Sequence, residues 1–207
     1  MMPSNIEHHL LPNGVTVDYI DETHQYFVAG VEKPSITTLI RNVYGDHYSG
    51  TNPEVLERAA KYGTLIHNEL KNLIELRQIN EDIPLVSEYQ EVQNYFTYIE
   101  PIYNIKPIFN EKVVALYDEN NNIVACGRVD MYCLQNEEET LIDFKTTTTI
   151  AKQYVTAQLN LYRIALRQSG YIKDDNIKLG VIHLSGETAK FIPIIKLNNK
   201  FYLTFIK

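Results

Sequence analysis

The sequence GRVDMYCLQNEEETLIDFK, from Gly127 to Lys145, predicts the central hairpin of the protein. Apolar and polar residues alternate on both sides of the turn-forming run 135–139, which predicts two antiparallel strands joined by a hairpin. Asp143 and Lys145 are two residues apart and should share a strand face. Asp130 lies near the end of the preceding strand, which the hairpin brings alongside. We therefore expect two carboxylates and an ammonium to converge at one sheet edge.

The apolar residues of this hairpin are expected to face away from those charges, toward the hydrophobic side of the sheet. They are Val129, Met131, Ile142 and Phe144. Cys126 and Cys133 fall on one strand at an odd separation, so their side chains should point to opposite faces and form no disulfide. Two cysteines are also too few for a four-thiolate zinc site or an iron–sulfur cluster.

Strand and helix periodicities alternate along the rest of the C-terminal half. The predicted elements are strands over 111–117, 123–133 and 140–146, a helix over 150–168, and strands over 178–184 and 189–195. Turns rich in Asp and Asn separate the first strands, which favours an antiparallel meander. This order indicates an α/β (α+β) domain whose central mixed sheet is flanked by helices.

The N-terminal half is predicted to begin with a β-hairpin. Residues 15–20 and 24–28 alternate around a polar turn. Ser35 is suited to cap a short helix that follows. We treat the chain as one domain, in which residues 1–50 form the hairpin and short helix and residues 51–207 form the core.

Two longer helices are expected after residue 50. Asn52-Pro53-Glu54 is typical of a helix start, and that helix should run to about Arg77 with a break at Gly63. Ser87 should open the second helix as part of a capping box. The buried stripe of this second helix is expected to comprise Tyr89, Val92, Tyr95, Phe96 and Ile99.

Composition sets broad limits on function. Of 207 residues, 44% are hydrophobic and 22% charged, as in an ordinary soluble globular protein. The net charge of −7 disfavours a protein that coats nucleic acid through bulk electrostatics. No apolar run is long enough to cross a bilayer, and residues 1–11 lack the pattern of a secretory signal. We therefore expect no membrane association and a location in the cell interior.

Two carboxylates and a lysine in this arrangement are suited to phosphodiester hydrolysis. Carboxylate oxygens bind Mg²⁺ or Mn²⁺, which lowers the pKa of an attacking water. A lysine beside the metal can orient that water or stabilise the charge that develops in the transition state. The alternative is that Asp130, Asp143 and Lys145 are strand-end charges that form a weak salt bridge.

The same region resembles the core of the PD-(D/E)xK nuclease superfamily, and more narrowly its RecB-type and phage-type exonuclease branch. The core segments are GRVD at 127–130 and IDFKT at 142–146. YGTLIH at 62–67 is similar to the Gly-Thr-x-x-His helix motif of the branch, and QLNLY at 158–162 is similar to its Gln-x-x-x-Tyr motif. The segment from His24 to Thr37 looks like the N-terminal part of phage members. Asp143 departs from the Glu of most superfamily members.

The resemblance implies a restriction-endonuclease-like core and a role for each matching residue. Asp130 and Asp143 would bind the metal, with the backbone carbonyl of Phe144 as a further ligand and His67 completing a second metal position. Glu111 would be an additional acid before the metal site. Lys145 would act on the attacking water or the transition state. The remaining implied roles are support of the site, by Gln158 and Tyr162, and phosphate contact, by Arg128, Lys152 and Arg163.

Each of these motif residues also has a purely structural interpretation. His67 would pair locally, Gln158 and Tyr162 would be a polar residue and a core tyrosine of an amphipathic helix, and Glu111 would be a solvated strand-edge acid. Each candidate phosphate contact would be a solvated surface charge. The ordered set of four motifs is more specific than any one of them.

The resemblance therefore predicts a nuclease that depends on Mg²⁺ or Mn²⁺ and carries no iron–sulfur cluster. Its substrate would be single- or double-stranded DNA, and exonuclease action in phage or mobile-element recombination or replication is the preferred form. A strand-annealing or single-strand-binding protein is a further implied partner. The location would be the cytoplasm, that of a bacterial host if the chain is phage-encoded. Two alternatives stay open: a structure-specific or restriction-like endonuclease, and a catalytically idle relative that binds nucleic acid or protein.

Overall fold

The protein, seen in a computed structural model that describes residues 6–46, 48–80 and 82–206, contains two β-sheets and five α-helices within those ranges. The first half consists of β1 (Ile6–Leu10), β2 (Thr16–Ile20), β3 (Gln25–Val28), β4 (Val31–Lys33), α1 (Ile36–Tyr44) and α2 (Pro53–Ile79). A helical segment follows, made of α3 (Gln90–Asn94), a π-helical turn (Tyr95–Ile99) and α4 (Glu100–Ile102). The second half consists of β5 (Ile105–Tyr117), β6 (Ile123–Gln135), β7 (Glu138–Lys145), α5 (Lys152–Gln168), β8 (Lys178–Ser185), β9 (Thr188–Ile194) and a 3₁₀ helix (Asn199–Thr204).

The larger sheet has five strands in the order β5-β6-β7-β8-β9. β7 and β8 are parallel because α5 crosses over between them, and the other neighbours are antiparallel. The predicted mixed sheet and antiparallel meander are therefore confirmed. β7 carries Asp143 and Lys145 and is the central strand, so these residues lie at the end of a central strand and not along a side edge.

Helices cover both faces of this sheet. Residues 157–166 of α5 are all buried, because the sheet lies on one side of the helix and α1 and the C-terminal 3₁₀ helix pack against it. On the opposite face, Ile66 and Leu70 of α2 pack with Val92 and Tyr95. Within the described ranges, no helix is long and apolar enough to cross a membrane.

The N-terminal segment forms a four-stranded antiparallel sheet, in the order β1-β2-β3-β4, that contains the predicted hairpin as β2 and β3. Tyr19 and Tyr26 are buried against Val113 and Cys126 of the larger sheet. The two cysteines are free and lie in different hydrophobic clusters. Both clusters lie on the sheet face away from α5, so the prediction that the two side chains point to opposite faces is wrong. The N-terminal sheet is thus packed directly on β5 and β6.

Several local predictions differ from the structure. Helix α2 continues through Gly63 without a break and ends at Ile79. Gly63 serves a close approach instead, since a Cβ there would lie 3.2 Å from Thr146 Oγ1. Ser87 does not cap a helix: its hydroxyl accepts from the Tyr89 amide, and the helix begins at Gln90.

Side-chain alternation along β6 is interrupted at Asp130. Val129 packs in the cluster beneath α5, whereas Met131 packs in the cluster beneath α2, together with Ile142 and Phe144. The prediction that all four face the same apolar side is therefore wrong for Val129. The β6–β7 ladder also stops at this point, with Met131 paired to Ile142 as its last pair.

Candidate metal and active site

Three potential metal ligands converge from three elements of the fold. His67 of α2, Glu111 of β5 and Asp130 of β6 each offer a ligand atom, and these atoms all lie within 4.8 Å of one another. Their side chains are mostly but not completely buried, with 26%, 11% and 14% of each exposed. One imidazole and two carboxylates form a donor set suited to Mn²⁺ as well as Mg²⁺.

The contacts of His67 test whether this donor set fits a cation. Its Nε2 lies 3.1 Å from the carbonyl oxygen of Phe144, and its Nδ1 lies 3.5 Å from Asp130 Oδ2. A neutral imidazole that donates from Nε2 to that carbonyl has an unprotonated Nδ1, so two acceptors face each other. That arrangement is stabilised by a cation between them, and the residues therefore fit a divalent metal.

Asp130 lies just beyond the last pair of the β6–β7 ladder, Met131 with Ile142. Its Oδ2 accepts a 2.8 Å hydrogen bond from the backbone amide of Phe144, which anchors the carboxylate to β7. The carbonyl of Phe144 faces His67 at the distance given above, and a carbonyl oxygen retains a second lone pair for a metal. Phe144 thus links Asp130 and His67 through its backbone.

Asp143 and Lys145 form a second group beside the triad. Lys145 Nζ lies 2.6 Å from Asp143 Oδ2, and Gln158 Nε2 donates to Asp143 Oδ1 at 2.9 Å. The predicted shared face of Asp143 and Lys145 is thus present. The structure brings Gln158 to the same carboxylate, while the cluster of ligand atoms within 4.8 Å does not include Asp143.

Burial is the main influence on the electrostatics of this second group. The pKa of Asp143 is raised to about 6, because burial and the neighbouring Asp130 together outweigh the opposing effects of Lys145 and His67. Burial lowers the pKa of Lys145, but Asp143 and Asp130 outweigh that effect and leave it above its ordinary value. Lys145 is therefore a cation at neutral pH, held among carboxylates.

Glu111 belongs to the triad through an unusual backbone conformation. Its φ of 50° lies in the left-handed region, which a residue inside a strand seldom adopts. Burial and the neighbouring Asp130 raise its pKa to about 8, and Arg128 opposes the rise. Glu111 thus lies within ligand distance of His67 and Asp130, in the region where the resemblance implies an additional acid.

Tyr162 and Gly127 pack closely where α5 crosses β6. A Cβ on Gly127 would lie 2.5 Å from Tyr162 Cε1, so only glycine fits beneath this ring. Tyr162 is buried and lines a cleft of about 370 Å³ that also contains the metal triad. A second cleft, of about 290 Å³, contains Lys145 and Gln158, and Thr37 lines both.

The three candidate phosphate contacts have different surroundings. Arg128 pairs with Glu111 and with Asp21, so its guanidinium is already engaged within the site. Lys152 is exposed at the start of α5. Arg163 is 1% exposed and donates to the backbone carbonyls of Asp175 and Leu197. The expected phosphate contact at Arg163 is therefore corrected to a buried structural role.

Sequence reasoning missed the contribution of the N-terminal sheet and of α1 to the site. Tyr19, Asp21 and Thr37 line the clefts or contact Arg128, and Arg41 lines the cleft that holds Lys145. These contacts join residues that are far apart in the sequence, so no local motif predicts them. Ser35 caps α1, as its sequence position predicts, and Thr37 on the same helix lines both clefts.

Comparison with known proteins adds no assignment. No protein-family profile matches the chain, and no curated protein matches it either. A solved structure described as the crystal structure of SSO0001 is 13% identical, with a TM-score of 0.40, and the alignment covers 84% of this chain and 72% of that one. A similarity at this level carries no functional argument.

Proposed function

We propose that this protein is a divalent-metal-dependent nuclease that hydrolyses phosphodiester bonds in DNA. The observation that carries the proposal is the triad His67, Glu111 and Asp130 next to the pair Asp143 and Lys145. A carboxylate-rich donor set beside a fixed ammonium combines what the reaction requires: a metal to bind the phosphate and a cation to stabilise developing charge.

Each residue of the site has a separate proposed role. His67, Glu111 and Asp130 would hold Mg²⁺ or Mn²⁺. Asp143 and the Phe144 carbonyl would be the further ligands that the resemblance implies. When bound, the metal supplies an activated water and neutralises phosphate charge. Lys145 is aimed by Asp143, and its ammonium stabilises the negative charge of the pentavalent transition state or orients the water. Gln158 keeps Asp143 in place by donating to Oδ1.

The two clefts support a nucleic acid as the substrate. They share Thr37, and Asp130 lines the first cleft while Lys145 lines the second. A strand that passes from one cleft to the other would carry a phosphate past both the metal ligands and the ammonium. Arg41 and Lys145 place two cationic side chains in the second cleft, which Asp46 also lines.

Exonuclease action on DNA is the preferred form of this function, on the strength of the four ordered motifs, and phage or mobile-element recombination is its preferred setting. The test uses end-labelled linear DNA, single- and double-stranded, and a closed circle, each with Mn²⁺, Mg²⁺ or EDTA. Metal-dependent loss of the linear substrates with an intact circle is expected. Opening of the circle would identify an endonuclease, and no cleavage by folded protein with either metal would overturn the proposal.

A further inference from the structure

Arg128 is held on three sides within the site. Its Nε lies 2.6 Å from Glu111 Oε2, and its Nη1 lies 3.2 Å from Asp21 Oδ1. The guanidinium carbon also lies 4.9 Å from the centre of the Tyr19 ring, within range of a cation–π contact. Only 21% of the arginine side chain is exposed.

Strand register accounts for the contact between Arg128 and Glu111. Arg128 of β6 is paired with Val113 of β5, so Glu111 is its diagonal neighbour two residues away. Long side chains reach across such diagonals when they share a face of the ladder. The left-handed backbone at Glu111 interrupts the regular strand conformation at this residue. The contact with Arg128 Nε then fixes the position of the Glu111 carboxylate.

The N-terminal sheet in turn fixes Arg128. Tyr19 is fully buried, and its hydroxyl donates to Asp21 Oδ1 at 3.0 Å, while His24 Nδ1 lies 2.6 Å from the same hydroxyl. Asp21 is therefore oriented from within the N-terminal sheet before it meets the arginine. A carboxylate accepts several hydrogen bonds, so Glu111 can bind Arg128 and still offer an oxygen to a cation.

We propose that Arg128 is a positioning residue of the metal centre, and that the N-terminal sheet acts through it by holding Glu111 in the geometry that binds the metal. This inference rests on the proposed metal-dependent function and deepens it. A positioning role differs from a phosphate contact, because a phosphate contact needs a guanidinium that faces the substrate. The guanidinium of Arg128 contacts the carboxylates of Glu111 and Asp21 instead. Mutation of a residue that holds a metal ligand in place commonly weakens metal binding by about 10- to 100-fold.

The test is a calorimetric titration of the folded protein with Mn²⁺, without nucleic acid. Arg128→Gln is expected to weaken Mn²⁺ binding by about 10- to 100-fold. Arg128→Lys should weaken it less, since the charge remains but the planar fork is lost. Lys61→Gln, which breaks an exposed ion pair with Glu57 on α2, is the matched control and should bind as wild type does. Wild-type affinity in folded Arg128→Gln would overturn the inference.

Asp21→Asn provides a second test if Arg128→Gln does not fold, because its side chain is 48% exposed. The titration is run at about 0.15 M NaCl, where exposed charges more than about 8 Å apart are largely screened and a general charge effect is suppressed. Weaker Mn²⁺ binding under these conditions supports the inference, and unchanged binding counts against it.

The same titrations separate this inference from the function on which it rests. Unchanged Mn²⁺ affinity combined with weaker DNA binding in Arg128→Gln would assign the arginine to the substrate. Absence of Mn²⁺ binding by the wild type would overturn the metal centre itself. Wild-type binding of Mn²⁺ without cleavage of DNA would overturn only the nuclease, and the variants would still report on Arg128.

Discussion

Gln158 on α5 donates a 2.9 Å hydrogen bond to Asp143 on β7, and this contact joins the crossover helix to the buried carboxylate beside Lys145. Gln158 lies four residues before Tyr162, so one helix face supplies both the hydrogen bond and the ring that packs on Gly127. The parallel pairing of β7 with β8 requires a crossover at this place, and the site uses the inner face of that crossover.

Replacing Gln158 by Leu should therefore impair both catalysis and folding. Asp143 Oδ1 would lose its donor, and we expect kcat to fall by about 10- to 100-fold. The free energy of unfolding should fall by about 1–3 kcal/mol, because a buried acceptor is left unsatisfied. Gln153→Leu, the same change on the exposed face of α5, is the control. Equal kcat in the two variants would show that the hydrogen bond has no role in catalysis.

Replacing Lys145 should remove most of the cleavage activity. Lys145→Ala eliminates the ammonium that we propose stabilises the transition state, and kcat is expected to fall by about 10²- to 10³-fold. Asp143→Ala should also abolish cleavage. Lys200→Ala, at an exposed lysine of the C-terminal 3₁₀ helix, is the control. Circular dichroism establishes that each variant is folded, and full activity of folded Lys145→Ala with Mg²⁺ would refute the assignment.

In the metal-free protein, Asp143 and Glu111 should make the folded state less stable as the pH rises. Burial raises the pKa of Asp143 from 3.8 to about 6. The folded protein then keeps a proton that the unfolded chain has released, so stability falls as the pH rises between those values. Glu111, whose pKa burial raises to about 8, extends the fall toward pH 8.

The measurement is urea unfolding in EDTA from pH 4 to pH 8, at constant ionic strength. Asp143→Asn removes one of these groups, so its stability should fall less steeply than that of the wild type as the pH rises from 4 to 6. The difference in free energy of unfolding should grow in favour of the variant by up to about 1.4 kcal/mol per pH unit. Added Mn²⁺ should stabilise the wild type increasingly as the pH rises, since metal ligands bind in their deprotonated forms. Parallel pH profiles for variant and wild type would contradict the raised pKa of Asp143.

Arg163 and Arg167 provide a matched pair, since both contact Asp175 but only Arg163 is buried. Arg163→Met leaves Asp175 and two backbone carbonyls without their buried donor, and should lower the free energy of unfolding by about 3–5 kcal/mol. Arg167→Met removes an exposed pair and should cost less than about 1 kcal/mol. Neither should change the salt dependence of DNA binding. A shallower salt dependence in Arg163→Met would show that Arg163 contacts phosphate.

Local pattern was sufficient to predict the central part of the fold and several partners in the site. Alternation around 135–139 placed Asp143 and Lys145 on one face, and helical spacing placed Gln158 and Tyr162 together. Both predictions depend on short-range geometry, which the period of a strand or helix dictates. The mixed sheet followed from the order of elements along the chain.

The remaining features depend on contacts between distant segments. The interruption of alternation at Asp130 arises because the β6–β7 ladder ends there, and a ladder end cannot be read from one strand. The left-handed conformation of Glu111 is imposed by its surroundings, and the sequence has no glycine at this position that would indicate it. The contact between Asp21 and Arg128 joins residues 107 apart, and two sheets must pack before it forms.

The wide separation of the interacting residues also has a consequence for biosynthesis. His67 reaches the Phe144 carbonyl across 77 residues, and Gln158 follows Asp143 by 15. Contacts of long range form late, because the entropy of closing large loops must be overcome first. A nascent chain that ends before α5 lacks Gln158, the donor to Asp143 Oδ1, and lacks the helix that covers one face of the sheet. The proposed hydrolytic activity should therefore arise only when synthesis has passed α5 and the whole domain has packed.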